Sequence, residues 1–161
     1  LIMGTVTAFL FRHYEPLIQQ ASIFAIFITL ITGTAGNTGT QSLAVAIRKI
    51  GLHEEEQSFW KVLVQEGTTG LGIGLISGVV VFGIVSLWQG NLVLGGIIGF
   101  AMFASIFVAA LTGTCIPFAL EKFNFDPSIA SGPFITTVND LTTVLVYFTI
   151  VSQFISVYLA K

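Results

Sequence analysis

Apolar and polar positions fall into long blocks along this chain. Apolar runs at 21–47, 67–88, 92–120 and 131–160 are each long enough to cross a hydrocarbon core, which takes about 20 helical residues. Short polar stretches separate them, centred on 48–61, 89–91 and 121–126. A further apolar run at 1–11 has about half the spanning length. It predicts the end of a cut helix, so more chain is expected upstream. No basic segment precedes it, and Arg12-His13-Tyr14-Glu15 is a poor cleavage site, which argues against a signal peptide. The pattern predicts an all-α membrane protein: a helical bundle of five transmembrane helices per subunit, the first truncated.

The last run carries a polar seam. At 100° per residue Gly132, Thr136, Asp140, Thr143 and Tyr147 share one side of a helix, while Val138, Leu141, Leu145 and Phe148 spread over the rest. Asp140 is the one carboxylate deep within these runs. A charge near the bilayer centre costs about 2.5–3.5 kcal/mol on insertion scales, so such residues face a bundle interior or a watery path. Asp140 is therefore a functional candidate; its structural alternative is a bond to a neighbouring helix, and the cost favours the ion path.

The first full run is lipid-like over 23–31, then turns small and polar in Thr32-Gly-Thr-Ala-Gly-Asn-Thr-Gly-Thr-Gln-Ser42. Small and hydroxyl residues permit close helix packing. Gly33, Asn37 and Gln41, one turn apart, would equally line a wet path beside Asp140. Packing is the favoured reading for the glycines; both readings stand for Asn37 and Gln41. Elsewhere the columns Gly70, Gly74, Gly78 and Ala101, Ser105, Ala109, Gly113, with Gly95 and Gly99 one turn apart, predict packing faces. The 92–120 helix has two such sides and is expected to be central. Pro117 should bend its end. Thr-Gly-Thr recurs at 32–34 and 112–114, a slender sign of a repeat of helical hairpins. Gln89-Gly90-Asn91 reads as a tight turn and Trp88 as an interfacial anchor, as do Tyr158 and Lys161 at the far end. Asp126-Pro127 reads as a helix cap, after which 131–160 is expected to be helical with Pro133 freeing the carbonyl of Ile129.

Composition narrows the chemistry. The chain is 54% hydrophobic and 9% charged, against about a quarter charged in soluble domains. A net charge of −2 without a basic patch argues against nucleic acid. Arg48, Lys49, Lys61 and Lys122 lie on one side of the alternating topology and Arg12 and Lys161 on the other, so the first side is expected to be cytoplasmic and the C-terminus extracytoplasmic. Arg48–Lys61, with Glu54-Glu55-Glu56 inside it, reads as a solvated loop lacking calcium-ligand spacing. His53 has no second soft ligand beside it, and lone Cys115 reads as a packed small hydrophobe. The glycines of 70–74 follow no strand, which rejects a dinucleotide loop. A paired carboxylate for proteolysis is missing, and His13 and His53 lie in loops. No enzyme is expected. Oxygen ligands remain, and they suit a hard, hydrated cation; a two-fold dimer would present two Asp140 side chains to it.

Ala35-Gly-Asn-Thr-Gly-Thr-Gln-Ser42, Asp126-Pro127, Ser131-Gly-Pro-Phe134 and Thr136-Thr-Val-Asn-Asp140, in that order, resemble the membrane domain of the MgtE family of magnesium channels, shared by the related animal solute carriers. The resemblance covers nearly the whole chain. It implies a homodimer in the plasma membrane, with the pore at the two-fold axis between the glycine-asparagine helix and the last helix. Hydrated Mg2+ would pass down its gradient into the cytoplasm. Asp140 matches the family's pore aspartate, and Thr136 the position whose backbone carbonyl partners it at the metal. Asn37 matches the pore-lining asparagine, and Thr38, Gln41, Gly33, Thr143 and Gly132 are expected to line the pore with it. The family's amino-terminal cytoplasmic domains, which resemble cystathionine-synthase pairs and sense magnesium, lie outside this sequence. Ala35-Gly36 stands where a glycine pair is common. A cation-coupled exchanger and a non-transporting scaffold are the competing functions; a single buried acid per chain favours the channel over the exchanger.

Overall fold

The computed structural model describes residues 5, 8, 9, 12–15, 23–52, 58–130 and 133–159. Gly132, His53, the acidic triplet 54–56, Lys161 and most of 1–11 lie outside the described residues. Four long helices follow one another: α1 (Ile23–Gly51), α2 (Phe59–Gln89), α3 (Leu92–Lys122) and α4 (Pro133–Leu159), with a 3-10 turn, Pro127–Ala130, before the last. All four are long and apolar enough to cross a membrane.

Two helices reach further than their apolar runs. α1 continues four residues past Ile47 and α2 begins eight before Gly67, so the flanks of the 48–61 stretch are helical rather than loop. Arg48 and Lys49 occupy the last turn of α1, where cations complement the helix dipole. α1 also stays α-helical through Gly33, Gly36 and Gly39. Its threonines show how: Thr32, Thr34, Thr38 and Thr40 each donate a hydroxyl hydrogen bond to the carbonyl four residues back, at 2.8–3.1 Å. A hydroxyl satisfied on its own helix needs no partner in lipid.

The α2–α3 connection is a two-residue hairpin. Gly90 ends α2 at φ 63, a left-handed conformation that glycine adopts without a Cβ penalty. Asn91 then caps α3, its Oδ1 accepting from Val93 N at 3.0 Å and Leu94 N at 3.1 Å. At the other end Asp126 caps the 3-10 turn, accepting from Ser128 N at 2.9 Å. These hydrogen bonds from Ser128 hold its carboxyl below the usual carboxylate range. Pro133 is the first residue of α4, separated from the Pro127–Ala130 turn. It therefore opens a helix instead of interrupting one, and its missing N–H leaves no bond unmade.

α3 is the central helix, standing between α2 on one side and α1 with α4 on the other. Against α2 the contact is backbone to backbone. A Cβ built on Gly78 would stand 2.7 Å from the Gly99 carbonyl, one on Gly74 2.9 Å from the Phe103 carbonyl, and one on Gly70 2.6 Å from Ala110 Cβ. Both glycine columns are thus consumed by packing. The outward side of α2 carries Leu75, Ile76, Val79, Val80 and Leu87, all exposed, as a lipid-facing surface requires. On the other side of α3, Ala101 and Ala109 are buried with Phe24, Ile28 and Ile31 of α1 and Val144, Phe148 and Val151 of α4. Tyr147 ties this core together: fully buried, it donates from its hydroxyl to the Phe24 carbonyl at 2.6 Å. Tyr147→Phe is expected to lower stability by about 0.5–1.5 kcal/mol, read as a small downward shift in melting temperature in detergent, because the Phe24 carbonyl is left with one acceptor position unfilled.

Candidate cation site

α1 and α4 meet at a notch made of glycine. A Cβ on Gly39 would lie 2.7 Å from Asn139 Cγ, which leaves no room for a side chain there, while one on Gly36 would meet Asp140 Oδ1 at an ordinary contact distance of 3.8 Å. The rear of the notch is closed by α3, where the place of a Cβ on Gly113 is taken by the Gly39 carbonyl. Three helices thus cross at Gly39, each bringing backbone or a small polar group. Gly39 carries no side chain because this crossing has no space for one.

Asp140 sits at the edge of the crossing. It is half-buried, and among the described residues it has neither an ion-pair nor a hydrogen-bond partner. Among the described residues no neighbouring helix bonds it. On the surface beside it stand Asn37, Thr40 and Gln41 of α1 and Thr136 of α4, all exposed, with Gly33 further along. A lipid-facing helix does not present a carboxylate, an asparagine and a glutamine together. This strip differs sharply from the aliphatic outer side of α2.

The structure divides the expected site in two. Asn37, Gln41, Gly33, Thr136 and Asp140 share the exposed strip. Thr38 and Thr143 do not: Thr38 is 6% and Thr143 1% exposed, both turned into the subunit. Thr143 and Tyr147 lie on the same side of α4 as Asp140 by helical angle, yet Tyr147 is covered where the start of α1 crosses over and Phe24 reaches its hydroxyl. The seam of α4 is therefore open up to Asp140 and sealed beyond it within the single subunit. The two Thr-Gly-Thr segments also play different parts, since Gly33 has open space around it while Gly113 is pressed on backbone.

A second buried acid, Glu66, overturns the expectation of a single one per chain, and with it the argument that set a channel above an exchanger. Glu66 belongs to α2, in a helix of membrane length, and is only 6% exposed. Its signal was present: Glu66 continues the Gly70, Gly74, Gly78 column backwards at the same four-residue step, with Val62 one step further. Among the described residues no group of three His, Cys, Asp or Glu side chains could enclose a metal ion. A cavity of about 650 Å³ lined by Phe59, Cys115, Phe118 and Ala119, with Glu121 and Lys122 at its edge, lies elsewhere and touches neither Asp140 nor Asn37.

The profile of the MgtE family, described as a divalent cation transporter, matches residues 28–150, which takes in both halves of this site. The chain belongs to the MgtE family. MgtE proteins are transporters and not enzymes. Curated relatives agree along almost the whole chain. The magnesium transporter MgtE of Enterococcus faecalis is 52% identical over 155 residues, 96% of this chain and 34% of that protein. The protein of the same name from Bacillus subtilis is 37% identical over 96% of the chain and 35% of its own length. That of Thermus thermophilus is 29% identical over 93% of the chain and 33% of its own length. The chain spans about a third of the length of the curated MgtE relatives it matches.

Proposed function

We propose that this chain is the pore-forming domain of a magnesium channel that works as a homodimer, with α1 and α4 of each subunit facing the two-fold axis. Mg2+, the transported ion, passes there with its water shell largely intact. The observation that carries the reading is the strip of Asp140, Thr136, Asn37 and Gln41, carried on helices of membrane length and, among the described residues, unpartnered at its carboxylate. A second copy placed against the strip removes it from lipid and doubles the acid, setting two negative charges against the two positive charges of the ion. Amide and hydroxyl groups then meet the ion's waters. Asp140 and the backbone carbonyl of Thr136 are the metal-facing groups, with Asn37, Gln41 and Gly33 lining the approach.

Against the scaffold function stands the absence, among the described residues, of any bond from Asp140 to a neighbouring helix. Arg48 and Lys49 at the end of α1, with Lys61 and Lys122 at matching ends of α2 and α3, support a cytoplasmic location for that end of the bundle in the plasma membrane. Mg2+ then moves inward down its gradient, and regulatory domains in the full-length protein would act from the same side. The test is Mg2+ uptake into proteoliposomes under a Mg2+ gradient alone. Uptake with neither a sodium nor a proton gradient is the expected result; uptake that appears only when one of those gradients is imposed would replace the channel with an exchanger.

A further inference from the structure

Asn139 is a costly side chain to bury. It is fully buried, and among the described residues neither its amide nitrogen nor its carbonyl oxygen has a hydrogen-bond partner. Its carboxamide is wedged onto Gly39, with Oδ1 2.9 Å from the place of a Cβ there, at the point where α1, α3 and α4 cross. One turn along α4 the Thr143 hydroxyl is in the same state, buried and unpartnered. A hydroxyl offers one donor; a carboxamide offers two donors and an acceptor with two lone pairs, and here none of them is used.

A leucine has nearly the shape of an asparagine and would occupy this place without desolvating a polar group. The amide is thus unfavourable in the arrangement described, and its partner belongs to another arrangement of the same helices. The neighbouring residue identifies that partner. Asn139 directly precedes Asp140, whose carboxylate lies against Gly36, one turn from Gly39 on α1. If α1 and α4 part at this glycine notch, the carboxamide is released next to the carboxylate, where the waters around a divalent cation supply both donors and acceptors.

We infer that Asn139 is a specificity-determining residue of the transport site, stored on Gly39 in the arrangement described and engaging the water shell of a hydrated divalent cation at Asp140 when α1 and α4 separate. The inference rests on the transport function proposed above. It makes the Gly39–Asn139 contact a seam that opens during passage, and it gives the buried amide a role that packing does not require.

The experiment compares the reconstituted protein with Asn139→Leu, measuring melting temperature in detergent, Mg2+ uptake per dimer, and the ratio of Mg2+ to Ca2+ uptake. Expected are a raised melting temperature, Mg2+ uptake lowered by about tenfold, the worth of one hydrogen bond at the upper end of its range, and a changed ion ratio. A lowered melting temperature with unchanged uptake and ratio would overturn the inference and assign the amide to a buried structural water. Asn139→Ala, smaller than the native residue at every atom, covers the case in which leucine blocks folding: the same fall in uptake and change in ratio are expected, and native values for both would overturn the inference. A parent that carries no Mg2+ defeats the transport reading and this inference with it. A conducting parent beside an indifferent Asn139→Leu defeats this inference alone.

Discussion

Asp140→Asn is expected to abolish Mg2+ uptake, by at least about 100-fold, while the dimer survives. Asparagine keeps the size and shape of aspartate, so the Gly36 contact, with its 3.8 Å approach, is undisturbed. What changes is charge, and in the proposed dimer it changes in both subunits at once. Two unit charges about 4 Å apart interact by about 4 kcal/mol at an effective dielectric constant near 20. Each 1.4 kcal/mol is about a factor of ten in occupancy, so even heavy discounting for the ion's water layer leaves orders of magnitude. The fold should gain slightly if it changes at all, because an uncompensated carboxylate at membrane depth is costly. Uptake per dimer and dimer content, measured on the same preparation, separate conduction from assembly. A variant that conducts as well as the parent would remove Asp140 from the pore and move the search to Asn37 and Gln41.

Gly113→Val is expected to prevent assembly of the bundle altogether. The place of its Cβ is occupied by the Gly39 carbonyl, and the Gly39 carbonyl carbon and Cα stand at 3.0 and 3.2 Å. These are backbone atoms of a helix that is pinned on its other side by Asn139. A flexible side chain would swing away; a helix has to translate, and with it the Asp140 contact at Gly36. Overpacking commonly costs about 1–3 kcal/mol where side chains can yield, and here the cost is expected at or above the top of that range. Size-exclusion behaviour and thermal melting in detergent provide the readout. Gly72→Val is the control, since a Cβ there meets nothing within 4 Å, and it should fold and melt like the parent. Equal stability of the two variants would mean that α1 and α3 do not meet at Gly39 and Gly113.

These two positions show how unequally the molecule was legible. Asp140 was conspicuous from composition alone, because a single acid in a long apolar run has few explanations in lipid. Gly113 looked like any member of a small-residue column, and its sequence neighbours made it resemble Gly33. Only the crossing of three helices separates a glycine that touches backbone from one that faces open space. Glu66 is hidden for a related reason: it lies just before the apolar run that begins at Gly67, whereas the helix starts at Phe59. Helix bounds follow hydrogen bonding and caps, and hydropathy alone locates the lipid-immersed part.

From its sequence this chain was determined to be a membrane protein of long helices, with α3 between two small-residue faces, a tight turn at Gly90 and an acid in its last helix. Those properties follow from local physics: the length of apolar runs, the four-residue spacing of small side chains, and the conformations open to glycine, proline and asparagine. The division of the polar seam was decided by tertiary structure. Thr136, Asp140, Thr143 and Tyr147 share a helical face, yet Thr136 is exposed and Asp140 half-buried, while Thr143 and Tyr147 are buried and Tyr147 is bonded to α1 at Phe24. Helical periodicity assigns a residue its angle around an axis. Which stretch of that face stays open depends on where a neighbouring helix crosses it, and that was set by Gly36, Gly39 and Gly113 fitting together.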